Sequence, residues 1–193
     1  QSTLTKTLVA SGAYALSRVG GDLHFITRTN NGLARNIFDM DTFEIQRQNL
    51  LTLASGAASP DNYIPICIDS AGKVVLFKHP GTGTDKFGGF QVYSKDNSLI
   101  RKVEDTYIGS KDNTVWRYYA PLDEKGECNH ALIWQEAKAS SPNSHLFYCA
   151  NLNTGNTAYL SKSTDSYNSG SFTACFELNG KSYFYMPGWY VSG

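Results

Sequence analysis

One pattern recurs four times along the 193 residues: an apolar strand, a glycine turn, then a second strand rich in aromatics. It reads "AYALSRVGGDLHFITR", "YIPICIDSAGKVVLFKH", "VWRYYAPLDEKGECNHALIWQ" and "FTACFELNGKSYFYM". The turn glycines are Gly21, Gly72, Gly126 and Gly180, spaced by 51, 54 and 54 residues. Ahead of each pair lies a polar strand rich in Thr or Ser and a Ser/Gly break: "TLTKTLVASG", "EIQRQNLLTLASG", "SLIRKVEDTYIGS" and "TAYLSKSTDSYNSG". Between them run "ARNIFDMD", "FGGFQVYSKD" and "SHLFYCANLN". Each unit therefore holds four short strands. No helical period is sustained anywhere. "DTFEIQRQNLLTLASG" also fits an amphipathic helix, but its counterparts in the other units favour a strand.

A repeat of about 50 residues built from four strands is the sequence sign of a β-propeller blade. The expectation is an all-β chain, a single domain over residues 1–193 folded as a four-bladed β-propeller. A β-sandwich would not require four matched units, and a trefoil would show three. The last unit supplies "FTACFEL", "KSYFYM" and "WYVSG" but no fourth strand, while the first is preceded by a surplus one, "STLTKTLVAS". Joined end to start, "WYVSG" and "QSTLTKT" resemble the internal "FQVYSKDNSLIRKV" and "FYCANLNTGNTAYL". Residues 3–9 are thus expected to pair with residues 189–192, closing the ring and covering an aromatic edge that would otherwise invite aggregation.

Charge is balanced at 17 basic and 17 acidic residues, so electrostatics give no case for nucleic acid or a membrane surface. No apolar run reaches the length of a membrane span. Residue 1 is Gln and no signal peptide is seen, which reads as a processed chain or an excised domain. No Asn-x-Ser/Thr acceptor occurs. Of the four cysteines, Cys128 precedes one strand and Cys149 ends the next, so this pair is expected within disulfide range. Cys67 and Cys175 lie inside apolar strands and read as buried thiols.

Catalytic chemistry finds little support. The histidines (His24, His79, His130, His145) are scattered without metal-ligand spacing, although His24 and His130 fall early in equivalent second strands. "GTGTDKFGG" (Gly81–Gly89) precedes no helix and reads as a hairpin connection rather than a phosphate loop. The carboxylates Asp39, Asp41, Asp69, Glu104, Glu136 and Glu177 are available for acid–base work, but their spacing selects no pair. No catalytic residue, metal or cofactor is expected.

Recognition remains. The chain carries 3 Trp and 12 Tyr, and flat aromatic faces stack on the C–H faces of sugars while Asn, Asp and Gln meet their hydroxyls. Phe25, Phe77, Phe147, Phe184 and Trp134 read as packing between units. Trp116 and Trp189 stand nearer to turns ("KDNTVW", "MPGW"), with Asn113, Arg117 and Tyr190 as polar neighbours. These five are the candidate ligand-binding residues.

"NGKSYFYMPGWY" (Asn179–Tyr190) is similar to the glycine turn, aromatic strand and tryptophan of hemopexin-like four-bladed propellers. "HALIWQEAKASSPNSHLFYCANLN" (His130–Asn153) resembles the fucose-binding propeller lectins of mushrooms. The second resemblance implies a third unit shifted by one strand. It carries over no ligand residue, because the family's arginine falls near His145 and no glutamate follows. Together these observations point to a secreted or extracellular, non-enzymatic lectin with glycans or glycoproteins as partners, no nucleic acid and no membrane insertion. The alternatives are a hemopexin-like module for protein, small-ligand or ion binding, and a glycoside hydrolase. Sugar specificity and oligomeric state stay open.

Overall fold

The computed structural model describes residues 12–54, 59–80, 87–105, 114–137, 144–163 and 174–185. Among them there is no α-helix, and fourteen strands account for nearly all regular structure. The first four are β1 (Tyr14–Val19), β2 (Asp22–Thr29), β3 (Gly32–Phe38) and β4 (Ile45–Thr52). They form an antiparallel meander in sequence order, sheet 1. The next four are β5 (Tyr63–Ile68), β6 (Val74–Lys78), β7 (Gly88–Tyr93) and β8 (Leu99–Asp105), which make sheet 2. Sheet 3 holds β9 (Thr114–Tyr119), β10 (His130–Ala137), β11 (Ser144–Asn151) and β12 (Thr157–Ser163). A hairpin follows, β13 (Ala174–Leu178) with β14 (Lys181–Tyr185).

The segment with a helical alternative is strand β4. Its apolar residues are too sparse for a helix face, and Ile45–Gln48 pair residue by residue with Arg35–Phe38. Sheet 3 begins at β9 with "TVWRYY". The one-strand shift implied by the lectin resemblance is therefore not what the chain adopts; the repeat spacing holds. The glycine turns occur where the repeat puts them, with positive φ at Gly72, Gly126 and Gly180. In the first unit the left-handed residue is Gly20 rather than Gly21.

Two further glycines mark tight backbone packing in third strands. A Cβ on Gly32 would lie 1.9 Å from the Leu51 carbonyl oxygen, and one on Gly89 2.1 Å from that of Val103. Both glycines start a third strand against the end of a fourth, so only a residue without a side chain lets the two backbones pair there. Gly88 and Gly89, the end of the "GTGTDKFGG" stretch, thus belong to strand β7.

The sheets stack face to face. Strands bury alternate residues on opposite faces, and the two apolar clusters sort by that parity. Ile26 and Leu33 of sheet 1 pack with Tyr63, Ile68, Val74, Leu76 and Tyr93 of sheet 2. The other face of sheet 2, with Cys67, Val75, Phe77, Phe90 and Val92, packs on Ala131, Ile133, Tyr148 and Ala150 of sheet 3. First strands of neighbouring sheets also meet, as β1 does with β5. Phe25 and Phe77 are buried as packing aromatics. The ring-closing pair, residues 3–9 with 189–192, lies outside the described residues.

The disulfide expectation is corrected. Cys67, Cys128 and Cys149 are free thiols. Register explains why: Cys149 stands opposite Leu132, whereas Cys128 bridges back to Leu122 before β10 begins. The extra residues of the β9–β10 connection carry Cys128 away from its expected partner. It joins the core between sheets 2 and 3 beside Cys67. The Cys175 side chain lies outside the described set.

The junction of sheets 1 and 2 contains two buried basic side chains, Arg35 and His24. Arg35 is fully buried and donates to the carbonyls of Gly72 (2.8 Å) and Ser94 (3.0 Å), two turns of sheet 2. His24, also buried, has no partner for Nδ1. Burial, then the Arg35 charge, hold its imidazole below the ordinary histidine range; Lys95 adds to this and Asp22 opposes it. A histidine kept neutral in the fold takes up its proton more readily when unfolded. Stability should therefore be full above about pH 6.5 and fall as pH drops from there toward the lowered folded value. Urea melts at pH 7.5 and 5.5 should show this loss in the wild type and a smaller loss in His24→Gln. An equal loss in both would remove His24 as its source.

Candidate functional site

Consecutive strands run in opposite directions, so each stack of sheets has two ends with different connections. One end carries the β1–β2, β3–β4, β5–β6, β7–β8, β9–β10, β11–β12 and β13–β14 turns. At the other, β4, β6, β8, β10 and β12 end and β5, β7, β9, β11 and β13 begin, with the tight β2–β3 turn.

At the turn end, polar groups bind one sheet to the next. Asp69, fully buried, accepts from the backbone N–H of Lys73 (2.8 Å) and of Cys128 in the next unit (3.2 Å), and pairs with Lys73 Nζ (3.2 Å). The Ser70 N–H donates to the Gly126 carbonyl (2.9 Å) and its hydroxyl to that of Lys125 (2.7 Å). Asp123 holds its own turn through the N–H groups of Lys125 and Glu127 and the Asn129 amide. Its carboxyl lies below the usual range, chiefly because of the Glu127 N–H. Sheet 3 is tied to the hairpin by Glu177, whose oxygens accept from Asn129 Nδ2 and His130 Nδ1, both at 3.1 Å. The Asn179 N–H donates to Glu124 across the same junction (3.2 Å).

The tautomer of His130 follows from its neighbours. Asn151 Oδ1 already accepts the N–H groups of Asn153 (3.0 Å) and Thr154 (2.9 Å). Asn151 therefore turns its Nδ2 donor toward His130 Nε2, 3.2 Å away. The neutral ring then carries its proton on Nδ1 and donates it to Glu177. Asn153 Nδ2 closes the network on Asn129 Oδ1 at 2.8 Å. Every polar side chain in this cluster is committed to another, so it acts as a clip between units.

A signal for these ties was present in the sequence. Asp69, Asp123 and Glu177 each stand three residues before a turn glycine, and so recur at intervals of 54 and 54. Arg18 occupies that place in the first unit, where its Nε donates to the Gly20 carbonyl. Reading carboxylates only for acid–base pairs passed over this period. The remaining candidates also have local roles. Asp39 Oδ1 accepts the N–H groups of Asp41 and Thr42 in the β3–β4 turn (both 2.8 Å). Glu104 accepts from Gln91 (3.0 Å). No cluster of His, Cys and carboxylates able to hold a metal occurs among the described residues.

Toward the opposite end, aromatics fill the space between sheets 2 and 3. Phe77 lies 4.7 Å from Tyr118 and 4.9 Å from His79, between ring centroids. The Tyr118 hydroxyl is hydrogen-bonded to His79 Nε2, and burial raises its pKa well above the ordinary phenol value. Phe90 stacks on Tyr148 at 6.4 Å.

Of the five expected ligand residues, Trp116 and Arg117 are placed. Both are ladder residues of β9, paired with Gln135 and Trp134 respectively, rather than turn residues. As consecutive residues of one strand they belong to opposite faces of sheet 3. Arg117 is exposed. Asn113, Trp189 and Tyr190 lie outside the described residues. The strands adjoining them, β9 at Thr114 and β14 at Tyr185, meet these segments at the end opposite the clips.

No protein-family model, curated protein or solved structure matches this chain.

If the clip is structural, Glu177→Ala should strand the His130 Nδ1–H and lower stability by about 1–3 kcal/mol. Chemical denaturation measures this directly. An unchanged midpoint would mean that the cluster does not tie the units.

Proposed function

We propose that this chain is a non-enzymatic carbohydrate-binding protein, a four-bladed β-propeller that meets glycans or glycoproteins outside the cell. The observation that carries the reading is the contrast between its two ends. At the turn end, the polar clusters bind one another across units. At the other, the ladders lead from one unit to the next, and loops held by such a scaffold are where ligands bind. Trp116 and Arg117 belong to β9, which begins at that end, and Asn113, Trp189 and Tyr190 are the other residues assigned to the site. They combine flat aromatic surface with hydroxyl-binding groups.

Ring closure has its own support. The face of sheet 1 turned away from sheet 2 is itself buried at Phe25, Ala34 and Asn36, so part of the chain must cover it. In a four-unit ring the last unit lies there, completed by the N-terminal strand. Deleting residues 1–10 should then cost several kcal/mol, a large share of the stability of an ordinary domain. A melting temperature unchanged by this truncation would be incompatible with closure.

A glycan array tests the ligand. Folded wild-type protein should bind a defined subset of sugars, and Trp116→Ala or Trp189→Ala should abolish that binding while leaving the melt near wild type. A tryptophan that only packs should instead lose about 3–5 kcal/mol on truncation. Absence of binding to any glycan would reject the lectin reading.

A second reading, a protein-interaction module, draws on the exposed face of the hairpin. Phe176 and Tyr183 stack there at 5.2 Å with Leu178 beside them, all exposed. Loss of binding to a protein partner on Phe176→Ser, with glycan binding intact, would favour it.

A further inference from the structure

We propose that Cys67 and Cys128 are a latent disulfide pair, an oxidation site that staples sheet 2 to sheet 3. Three observations place the two sulfurs together. Both residues belong to the buried cluster between these sheets, and Cys67 is the neighbour that acts most on the Cys128 thiol, whose Sγ lies 3.4 Å from the His130 carbonyl oxygen. The backbone on either side is fixed as well. The Ser70 N–H reaches the Gly126 carbonyl, the Ser70 hydroxyl reaches the Lys125 carbonyl, and the Cys128 N–H reaches Asp69 Oδ2. Residues 67–70 and 125–128 are thus bound side by side, which restrains the cysteine backbones near one another as a disulfide requires.

The other described thiol does not compete. Cys149 pairs with Leu132, whose neighbours Ala131 and Ile133 alone face sheet 2. It therefore stands on the opposite face of sheet 3.

The contact with Cys67, then burial, holds the Cys128 thiol protonated far above the ordinary cysteine range. Cys67 is the slightly more accessible of the two. A small disulfide such as oxidised glutathione is then attacked by the Cys67 thiolate, releasing one glutathione thiol and leaving a mixed disulfide on Cys67. Cys128 next loses its proton, and its sulfur displaces the second glutathione from Cys67. The protein dithiol gives up two electrons and two protons, and the oxidant becomes two thiols. Because both sulfurs are buried in the closed core, the oxidant reaches them slowly until the junction of the two sheets opens. Once formed, the bond closes a chain segment containing all of β6, β7, β8 and β9, so it removes much freedom from the unfolded state.

The test uses the full chain, reduced and then held in glutathione buffers of increasing oxidised fraction. Samples are acid-quenched, unfolded, alkylated and mapped as peptides. A Cys67–Cys128 linked peptide should accumulate with loss of two alkylatable thiols. The melting temperature should rise by about 5 °C or more. Cys128→Ala should abolish the link and leave glutathione on Cys67. The proposal fails if wild-type protein in oxidised glutathione keeps both thiols free. It also fails if Cys67 stops at the mixed disulfide, or if the link found joins either residue to Cys149 or Cys175. The wild-type peptide map decides even if the variant does not fold.

Discussion

Strand β6 is buried along its whole length, Val74 to Lys78, and so is β7 from Gly88 to Tyr93. A meander with two buried faces cannot stand at a protein surface. Sheet 2 needs a cover on each side, and sheets 1 and 3 supply them. Burial of this kind is non-directional. It holds sheets together without specifying how one is turned on the next, and apolar faces of β-branched and aromatic residues pack in more than one way.

The polar ties restrict that freedom. Arg35 on β3 must present its guanidinium to two carbonyls that exist only in the turns of sheet 2. Asp69 must find the Cys128 N–H of sheet 3, and Glu177 must find Asn129 and His130. A buried charge without these partners would be costly, so orientations that break the ties are penalised. At the junctions of sheets 1 with 2 and 2 with 3, apolar contact is thus joined by a directional contact at the turn end. The positions are cheap to encode, because a carboxylate three residues before a turn glycine is carried with the turn itself.

Strand order within a unit was legible because it depends on near neighbours. Alternation, turn glycines and serine or threonine strands recur in phase, and each meander pairs strands adjacent in sequence. Even the ambiguous "DTFEIQRQNLLTLASG" was settled by its counterparts. Contacts between units depend on residues tens of positions apart, and local pattern says little about them. Cys128 shows the difference. Strand adjacency pointed to Cys149, but a longer connection before β10 moved the sulfur through the sheet to Cys67. Gly89 read as the end of a hairpin connection, yet what demands glycine there, as at Gly32, is the neighbouring backbone. For the ligand residues the boundary was similar. Trp116 was placed beside a turn because "KDN" precedes it, whereas the ladder with β10 extends past it to Thr114.

Polar ties between units occur toward both ends: Arg35, Asp69 and Glu177 at the turns, and Arg28–Asp61 and Tyr118–His79 nearer the other end. A loop can change sequence and shape only if the strands beneath it do not depend on its own hydrogen bonds. In this chain Arg35, Asp69 and Glu177 fix how neighbouring units sit at the turns. Between the two ends, Phe77, Tyr118, His79 and Tyr148 fill the interface of sheets 2 and 3 with rings, a packing that resists shear. The sheets therefore meet on a base whose relative geometry is fixed by both the turn contacts and the packed rings.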